Sequence, residues 1–159
     1  MPTVFRLTRT SRALDAFTGE GAKLFGGRWN SPGLRVVYTS AARSLALLET
    51  LVHLDTAAPL PFFSFIQVDL AAEDIEALPA DAFSRRDDLA QTRALGDRWL
   101  RKASGLALAV PSVIVPQEFN YLLNPAHPRF ATLRPLPPVF FELDQRLRLA
   151  PESKIYPVK

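Results

Sequence analysis

A single α+β domain spanning residues 1–159 is the fold class this sequence predicts, on three observations. Segments of strand character and segments of helical period are mixed along the chain without the regular strand–helix rhythm of a doubly wound sheet. No internal repeat and no low-complexity linker divides the 159 residues. That length suits one domain, and a 48% apolar composition is enough for a sizeable core.

The elements follow in order. TVFRLTR (3–9) alternates and is rich in strand formers, so it predicts a first strand. SRALDAF is a candidate short helix. The segment from Gly19 to Gly33 holds five of the seven glycines and is expected to be an ordered loop. LRVVYTS (34–40) reads as a second strand. Ser40 is a suitable N-cap for AARSLALLETLVHLD (41–55), in which Ala41, Leu45, Leu48 and Val52 recur at helical spacing and predict a core face. PFFSFIQVDL (61–70), rich in aromatic and β-branched residues, predicts a third strand. Residues 71–88 are polar, acidic and proline-marked, which suits a surface connection. LAQTRALGDRWLRKAS (89–104) has the pattern of an amphipathic helix, with Leu89, Leu95, Trp99 and Leu100 toward the core. LALAVPSVIVP (106–116) reads as a buried strand interrupted at Pro111. NYLLNPAHPRF is expected to be a proline-punctuated turn region, and PPVFFELDQRL a last strand.

Composition narrows the chemistry. The absence of cysteine rules out disulfides, thiolate metal sites and a cysteine nucleophile, and two histidines, His53 and His127, argue against zinc. The start MPTVFRLTRTSR has no long apolar segment of a signal peptide, and LALAVPSVIV is too short to span a bilayer. A cytoplasmic protein without membrane contact is the expectation. The net charge of +3 is uneven: seven Lys/Arg and two Asp/Glu precede Glu49, which leaves 12 basic and 14 acidic residues for the rest. A basic first third suits a phosphate-bearing ligand, and equally a solvated basic face.

The candidate site residues lie around GEGAKLFGGRWNSPG, residues 19–33. Glycines let backbone N–H groups turn toward an anion, and Arg28 can fork two hydrogen bonds onto a phosphate or carboxylate. The segment matches neither a P-loop nor the dinucleotide fingerprint, so an ordered loop with a surface arginine fits as well. Glu49 has Leu45 one turn before it and His53 one turn after it, at the edge of the core-facing arc of its helix. A carboxylate there needs a partner, either a structural arginine or a ligand in a cleft. Tyr38 suits a stacking surface or an edge aromatic. Arg6 is unusual inside a strand unless it is paired or faces a cleft. Ser112, behind Pro111, and Asn120 fit turns as well as a site. Together, two arginines, a tyrosine and a glutamate on adjacent elements make a site for a phosphorylated ribonucleoside, with no reaction identified.

The order of the segments resembles the RES domain family, bacterial toxins of RES–Xre toxin–antitoxin pairs. The likeness runs from FRLTR through GGRWNSPGLRVVYTS and SLALLETLVHLD to PSVIVPQEFNYLLNPAHPRF. It implies a split, mixed β core with flanking helices, similar to the ADP-ribosyltransferase toxin fold, with a cleft for NAD as substrate and no bound cofactor or metal. Carried over by motif position, the family's arginine is Arg28, its glutamate Glu49 and its serine Ser112. Arg6 and Tyr38 also match site positions, and Asn120 lies in a matching motif. The resemblance implies that Arg28, Tyr38 and Glu49 are catalytic, and that Arg6, Arg28, Tyr38, Ser112 and Asn120 bind NAD. It implies an NAD phosphorylase or glycohydrolase, or alternatively a protein ADP-ribosyltransferase. It further implies a complex with an Xre-type antitoxin, inorganic phosphate or a target protein as acceptor, and nucleic acid reached only through the antitoxin. A nucleic-acid-binding or RNase-like toxin, suggested by a pI near 9.6, would need basic residues interleaved with exposed aromatics; the aromatics of PFFSF and VFFEL are expected in the core. A purely structural partner protein leaves Glu49 and Arg28 unexplained.

Overall fold

The computed structural model describes residues 1–54, 61–78 and 87–147. Its strands are β1 (Thr3–Arg9), β2 (Val37–Ser40), β3 (Phe63–Asp69), β4 (Ile75–Ala77), β5 (Ala107–Pro111), β6 (Phe119–Leu123) and β7 (Val139–Phe141). Its helices are α1 (Glu20–Phe25), α2 (Arg43–Leu51) and α3 (Leu89–Lys102). The strands form one sheet in the order β4-β5-β6-β2-β1-β3-β7. Only β4 and β5 run parallel; the other neighbours are antiparallel. The fold is α+β, as the mixed rhythm of the sequence predicts.

Alternation on the strands sorts the core onto both faces of the sheet. Leu122 joins Trp29, Val36, Trp99, Leu100, Leu108 and Val110 under α3. Its neighbour Leu123 joins Val4, Val37, Val68, Leu70 and Ala107 on the other face, with Phe130 from a 3-10 turn packed against them. A third cluster, Leu7, Ala46, Phe63 and Leu143, seats α2.

Strand β1 pairs with β3 along its whole length, from Thr3↔Asp69 to Arg9↔Phe63. With β2 it pairs only at Phe5↔Ser40. Beyond that point the two central strands part, and the seam between them opens. This opening positions the site.

Several expectations are corrected. Residues 19–33 are not all loop: α1 forms there, because Gly19 (φ 72) and Gly26 (φ 69) place the left-handed turns at its two ends, and not within it. The second strand covers only 37–40. Ser40 belongs to β2 and caps no helix; α2 begins at Arg43 after Ala42, and Ser40 spends its hydroxyl on Asn120. Leu48 and Val52 are exposed, and Leu45 and Ala46 carry the buried face of α2. Leu89 is likewise exposed on α3, while Trp99 and Leu100 are buried and Leu95 packs against them.

The surface connection at 71–88 contains β4 and the buried Asp74, paired with Arg129; residues 79–86 of it lie outside the described residues. The predicted buried strand ends at Pro111. The expected turn region begins inside a strand, since Asn120 to Leu123 pair with both β2 and β5 and the prolines start only at Pro125. The last strand shrinks to 139–141, and SRALDAF lies in a 3-10 turn at 10–15 and its exit. Phe62 and Phe140 stand exposed against each other, whereas Phe63 is buried.

Candidate active site

The open seam leads into a cavity of about 740 Å³. Arg6, Arg28, Tyr38, Glu49 and Asn120 line it, and Ser112 lies fully buried directly behind Glu49. The six residues singled out in the sequence thus meet in one place. Among the ionisable residues of the wall are three arginines (Arg6, Arg28, Arg93), one carboxylate (Glu49) and His53.

Glu49 projects from α2. Its helix buries Leu45 and Ala46, which turns Glu49, Val52 and His53 to the cavity. Two neutral donors converge on one of its oxygens: Ser112 Oγ donates to Oε1 at 2.8 Å, and Asn120 Nδ2 donates to the same atom at 2.6 Å. Neither donor is free to turn away. Ser112 Oγ accepts the backbone N–H groups of Ile114 (3.1 Å) and Val115 (3.0 Å), so its proton is left for Glu49. Asn120 Oδ1 accepts from Ser40 Oγ at 2.7 Å, which sets the amide with its nitrogen toward Glu49. No cation pairs with Glu49 among the described residues. Among the described residues the structural-arginine alternative therefore finds no partner. Oε1 is pinned as an acceptor, and Oε2 makes no hydrogen bond among the described residues.

The facing wall is the segment 26–31, held by α3. Thr92 Oγ1 donates to the Arg28 carbonyl at 2.6 Å, Arg93 Nε to the Gly27 carbonyl at 2.8 Å, and Asp97 Oδ1 accepts from Ser31 N–H at 2.8 Å. Between them Gly96 lies so close to Trp29 that a Cβ would come within 1.7 Å of its carbonyl oxygen. Inside the loop Asn30 is fully buried, and its Nδ2 donates to the carbonyls of Ala22, Ser31 and Leu34. Its Oδ1 accepts the Tyr38 hydroxyl at 2.7 Å, and that hydroxyl accepts Trp29 N–H at 3.1 Å. Burial pushes the Tyr38 pKa up to about 12, against the opposing pull of Trp29 N–H and of Arg93. Tyr38 is therefore neutral with its hydroxyl engaged, and it offers a ligand its ring.

Arg6 bridges the parted strands: its Nη1 donates to the Tyr38 carbonyl at 2.8 Å, and its buried Nε has no partner among the described residues. Burial lowers its pKa to about 10, so it remains a cation at neutral pH. Arg28 also lines the cavity, its backbone fixed through Thr92.

The sequence reading missed the supporting residues. Asn30 carries no sequence signal of its role within residues 19–33. Ser40 was assigned to a helix cap. Arg93 sat on a helix read only for its apolar face. An arginine one turn before a Gly–Asp pair, on a helix with a small-residue contact, was the available signal for the last.

In chemical terms the cavity offers cations for an anionic ligand, an aromatic ring for a planar one, and a fixed carboxylate for a developing positive charge. Among the described residues no group of His, Asp and Glu has the makings of a metal site.

The chain matches the family model described as "RES domain" over residues 3–147. "Toxin Res" of Yersinia enterocolitica serotype O:8 / biotype 1B is 39% identical over 150 residues, covering 91% of this chain and 99% of that protein. "Toxin Res" of Photorhabdus laumondii is 38% identical over 127 residues, covering 77% and 81%. A "Prs ADP-ribosylating toxin" of a Sphingobium species is 37% identical over 139 residues, covering 80% of this chain and 86% of that one.

Proposed function

The chain belongs to the RES domain family, and from that premise we propose that it is a toxin that cleaves NAD at the nicotinamide–ribose bond. The observation that carries this reading is Glu49, held by Ser112 and Asn120 in a cavity whose other ionisable wall is arginine-rich. NAD has an anionic pyrophosphate, a planar cationic nicotinamide and a ribose between them, and the cavity offers a counterpart to each.

Breaking the bond between ribose C1′ and the pyridinium nitrogen sends the electron pair to nitrogen. Nicotinamide leaves neutral, so departure requires no general acid. Positive charge develops on the sugar, as in glycoside hydrolysis. Glu49 Oε2 would stabilise it and accept a hydrogen bond from a ribose hydroxyl, while Oε1 stays bound to its two fixed donors. The Tyr38 ring would pack on the nicotinamide or its ribose, and Arg28 and Arg6 would hold the phosphates. An acceptor oxygen then bonds to C1′ and gives up its proton. Water yields ADP-ribose, and phosphate yields phosphorylated ADP-ribose.

A second reading has its own support, the relative named an ADP-ribosylating toxin: the acceptor is a protein side chain. An Xre-type antitoxin is the partner that fits either reading, since an unchecked NAD-consuming enzyme would damage its own cell. Nucleic acid would then be reached through the antitoxin. Exposed Phe25, Val52 and Leu89 at the rim of the cavity suit a protein cover. Among the described residues no helix is long and apolar enough to cross a membrane, and the cytoplasm, where NAD and the antitoxin are, is the proposed location.

The test incubates antitoxin-free protein with NAD, with and without phosphate, and separates the products. Phosphate-dependent nicotinamide release identifies a phosphorylase, and phosphate-independent release a glycohydrolase. No release in either, with label passing from NAD to a lysate protein, identifies the transferase. Glu49→Gln should lower turnover by about 10²–10³-fold with little change in melting temperature; full turnover in that variant would remove Glu49 from the mechanism.

A further inference from the structure

Arg93 on α3 has a placement that the roles of the other site residues do not use. Its Nε donates to the Gly27 carbonyl at 2.8 Å, and the side chain lines the cavity. That bond fixes the guanidinium plane, and the terminal Nη1 and Nη2 groups make no hydrogen bond or ion pair within the described protein. The neighbouring carboxylate on α3, Asp97, is taken by Ser31 N–H. Arg93 and Arg28 both lower the Tyr38 pKa through their charge, so both lie near its hydroxyl, and both line the cavity. Arg6 differs: its Nη1 is spent on the Tyr38 carbonyl.

We propose that Arg93 is an anion-binding residue of the cavity, which clamps a diphosphate together with Arg28. The guanidinium is held at Nε by backbone, so its two terminal groups are presented as a preoriented fork. Two guanidinium groups lining one cavity match two adjacent phosphate groups, and Glu49 places the carboxylate of the site on another element. The inference rests on the proposed NAD reading for its substrate, since a dinucleotide carries its diphosphate between two planar ends. The clamp itself requires only the diphosphate.

The experiment measures calorimetric affinity for three probes, inorganic pyrophosphate, ADP-ribose and nicotinamide riboside, in antitoxin-free wild-type protein, Arg93→Met and Arg93→Lys. The expected result is a loss of about tenfold or more for pyrophosphate and ADP-ribose in Arg93→Met. Arg93→Lys should recover part of it through charge alone, and nicotinamide riboside, which has no phosphate, should bind all three proteins alike. Unchanged pyrophosphate affinity in Arg93→Met would overturn the clamp, as would absence of pyrophosphate binding in the wild type. Equal loss for all three probes would reduce Arg93 to a support for the Gly27 loop. Where Arg93→Met fails to fold, Arg93→Lys carries the comparison, and pyrophosphate affinity equal to wild type there, with no other loss, also overturns the fork. Arg93-dependent pyrophosphate binding without any affinity for ADP-ribose or NAD would leave the clamp standing and remove the NAD reading. ADP-ribose binding indifferent to Arg93 would do the reverse.

Discussion

Asn120 Nδ2 lies 2.6 Å from Glu49 Oε1, across 71 residues of sequence. The carboxylate of α2 is held by a strand that the chain reaches only after building most of the sheet. Asn120 acts on Glu49, and the Ser40 hydroxyl keeps its amide the right way round. Its role in the structure is to position the carboxylate.

Asn120→Asp would replace the donor with a second carboxylate facing Glu49. Like charges at that distance disfavour joint ionisation, so one of the pair should take up a proton. We expect turnover of NAD to fall at least about 10²-fold near neutral pH, with a new basic-side inflection in the pH–rate profile. Steady-state kinetics across pH check this, and an unchanged profile would separate Asn120 from Glu49 function.

Ser112→Ala removes a donor to Glu49 and also the acceptor for two backbone N–H groups, in a residue with no solvent exposure. Leaving these groups unpaired should cost about 1–3 kcal/mol of stability. Denaturant titration reads the stability loss, and turnover should fall as well, because Oε1 keeps only one of its two donors.

Tyr38→Phe keeps the ring and removes the hydroxyl that joins Asn30 to Trp29 N–H. Stability should drop by about 1–3 kcal/mol, while kcat falls less than in Glu49→Gln, since the ring is the part offered to the ligand. The pH dependence adds a signature. The folded pKa of Tyr38 is raised to about 12 from 10.0. Its contribution is therefore complete below pH 10 and is lost as pH rises toward about 12, where the unfolded chain ionises first. Buried Arg6, with its pKa lowered to about 10, contributes with the opposite sign in this range. Both proteins share Arg6, so the difference in their stability slopes between pH 10 and 12 reports Tyr38 alone. Parallel slopes would contradict its buried, neutral state.

Gly96→Ala would drive a Cβ into the Trp29 carbonyl, at 1.7 Å in the unrelaxed backbone. Because that atom is backbone, α3 or the loop must move. We expect a loss of about 3 kcal/mol or more together with loss of ligand affinity, since the same displacement shifts Arg28 and Arg93. A melting curve and an ADP-ribose titration check both parts; wild-type stability would mean that α3 is not tightly seated on the loop.

The legible parts of the fold share one property, a strong local period. β1, β3 and α3 announce themselves by alternation or by an apolar stripe, and the structure places them within two residues of the predicted bounds. α1 was hidden because Gly21 and its glycine neighbours read as loop, although the glycines with positive φ, Gly19, Gly26 and Gly33, all lie outside the helix. β6 was hidden because its strand sequence abuts Pro125, and the turn signal that follows was extended back over it. The stripe of α2 was misjudged at Leu48 and Val52, which stand exposed; Val52 faces the open cavity, where no packing partner covers it.

Residue chemistry and motif order in this chain were enough to single out Arg6, Arg28, Tyr38, Glu49, Ser112 and Asn120 and to point to a phosphorylated ligand. They left the division of labour among those residues open. That Asn120 and Ser112 serve Glu49, that Asn30 holds Tyr38, and that Arg93 is anchored on the Gly27 carbonyl all depend on the strand order β5-β6-β2-β1 and on α3 lying along the loop. Local periodicity encodes which face of an element is apolar. It does not encode which distant element lies beside it, and a hydrogen bond about 3 Å long exists only once the whole sheet has brought its two ends together.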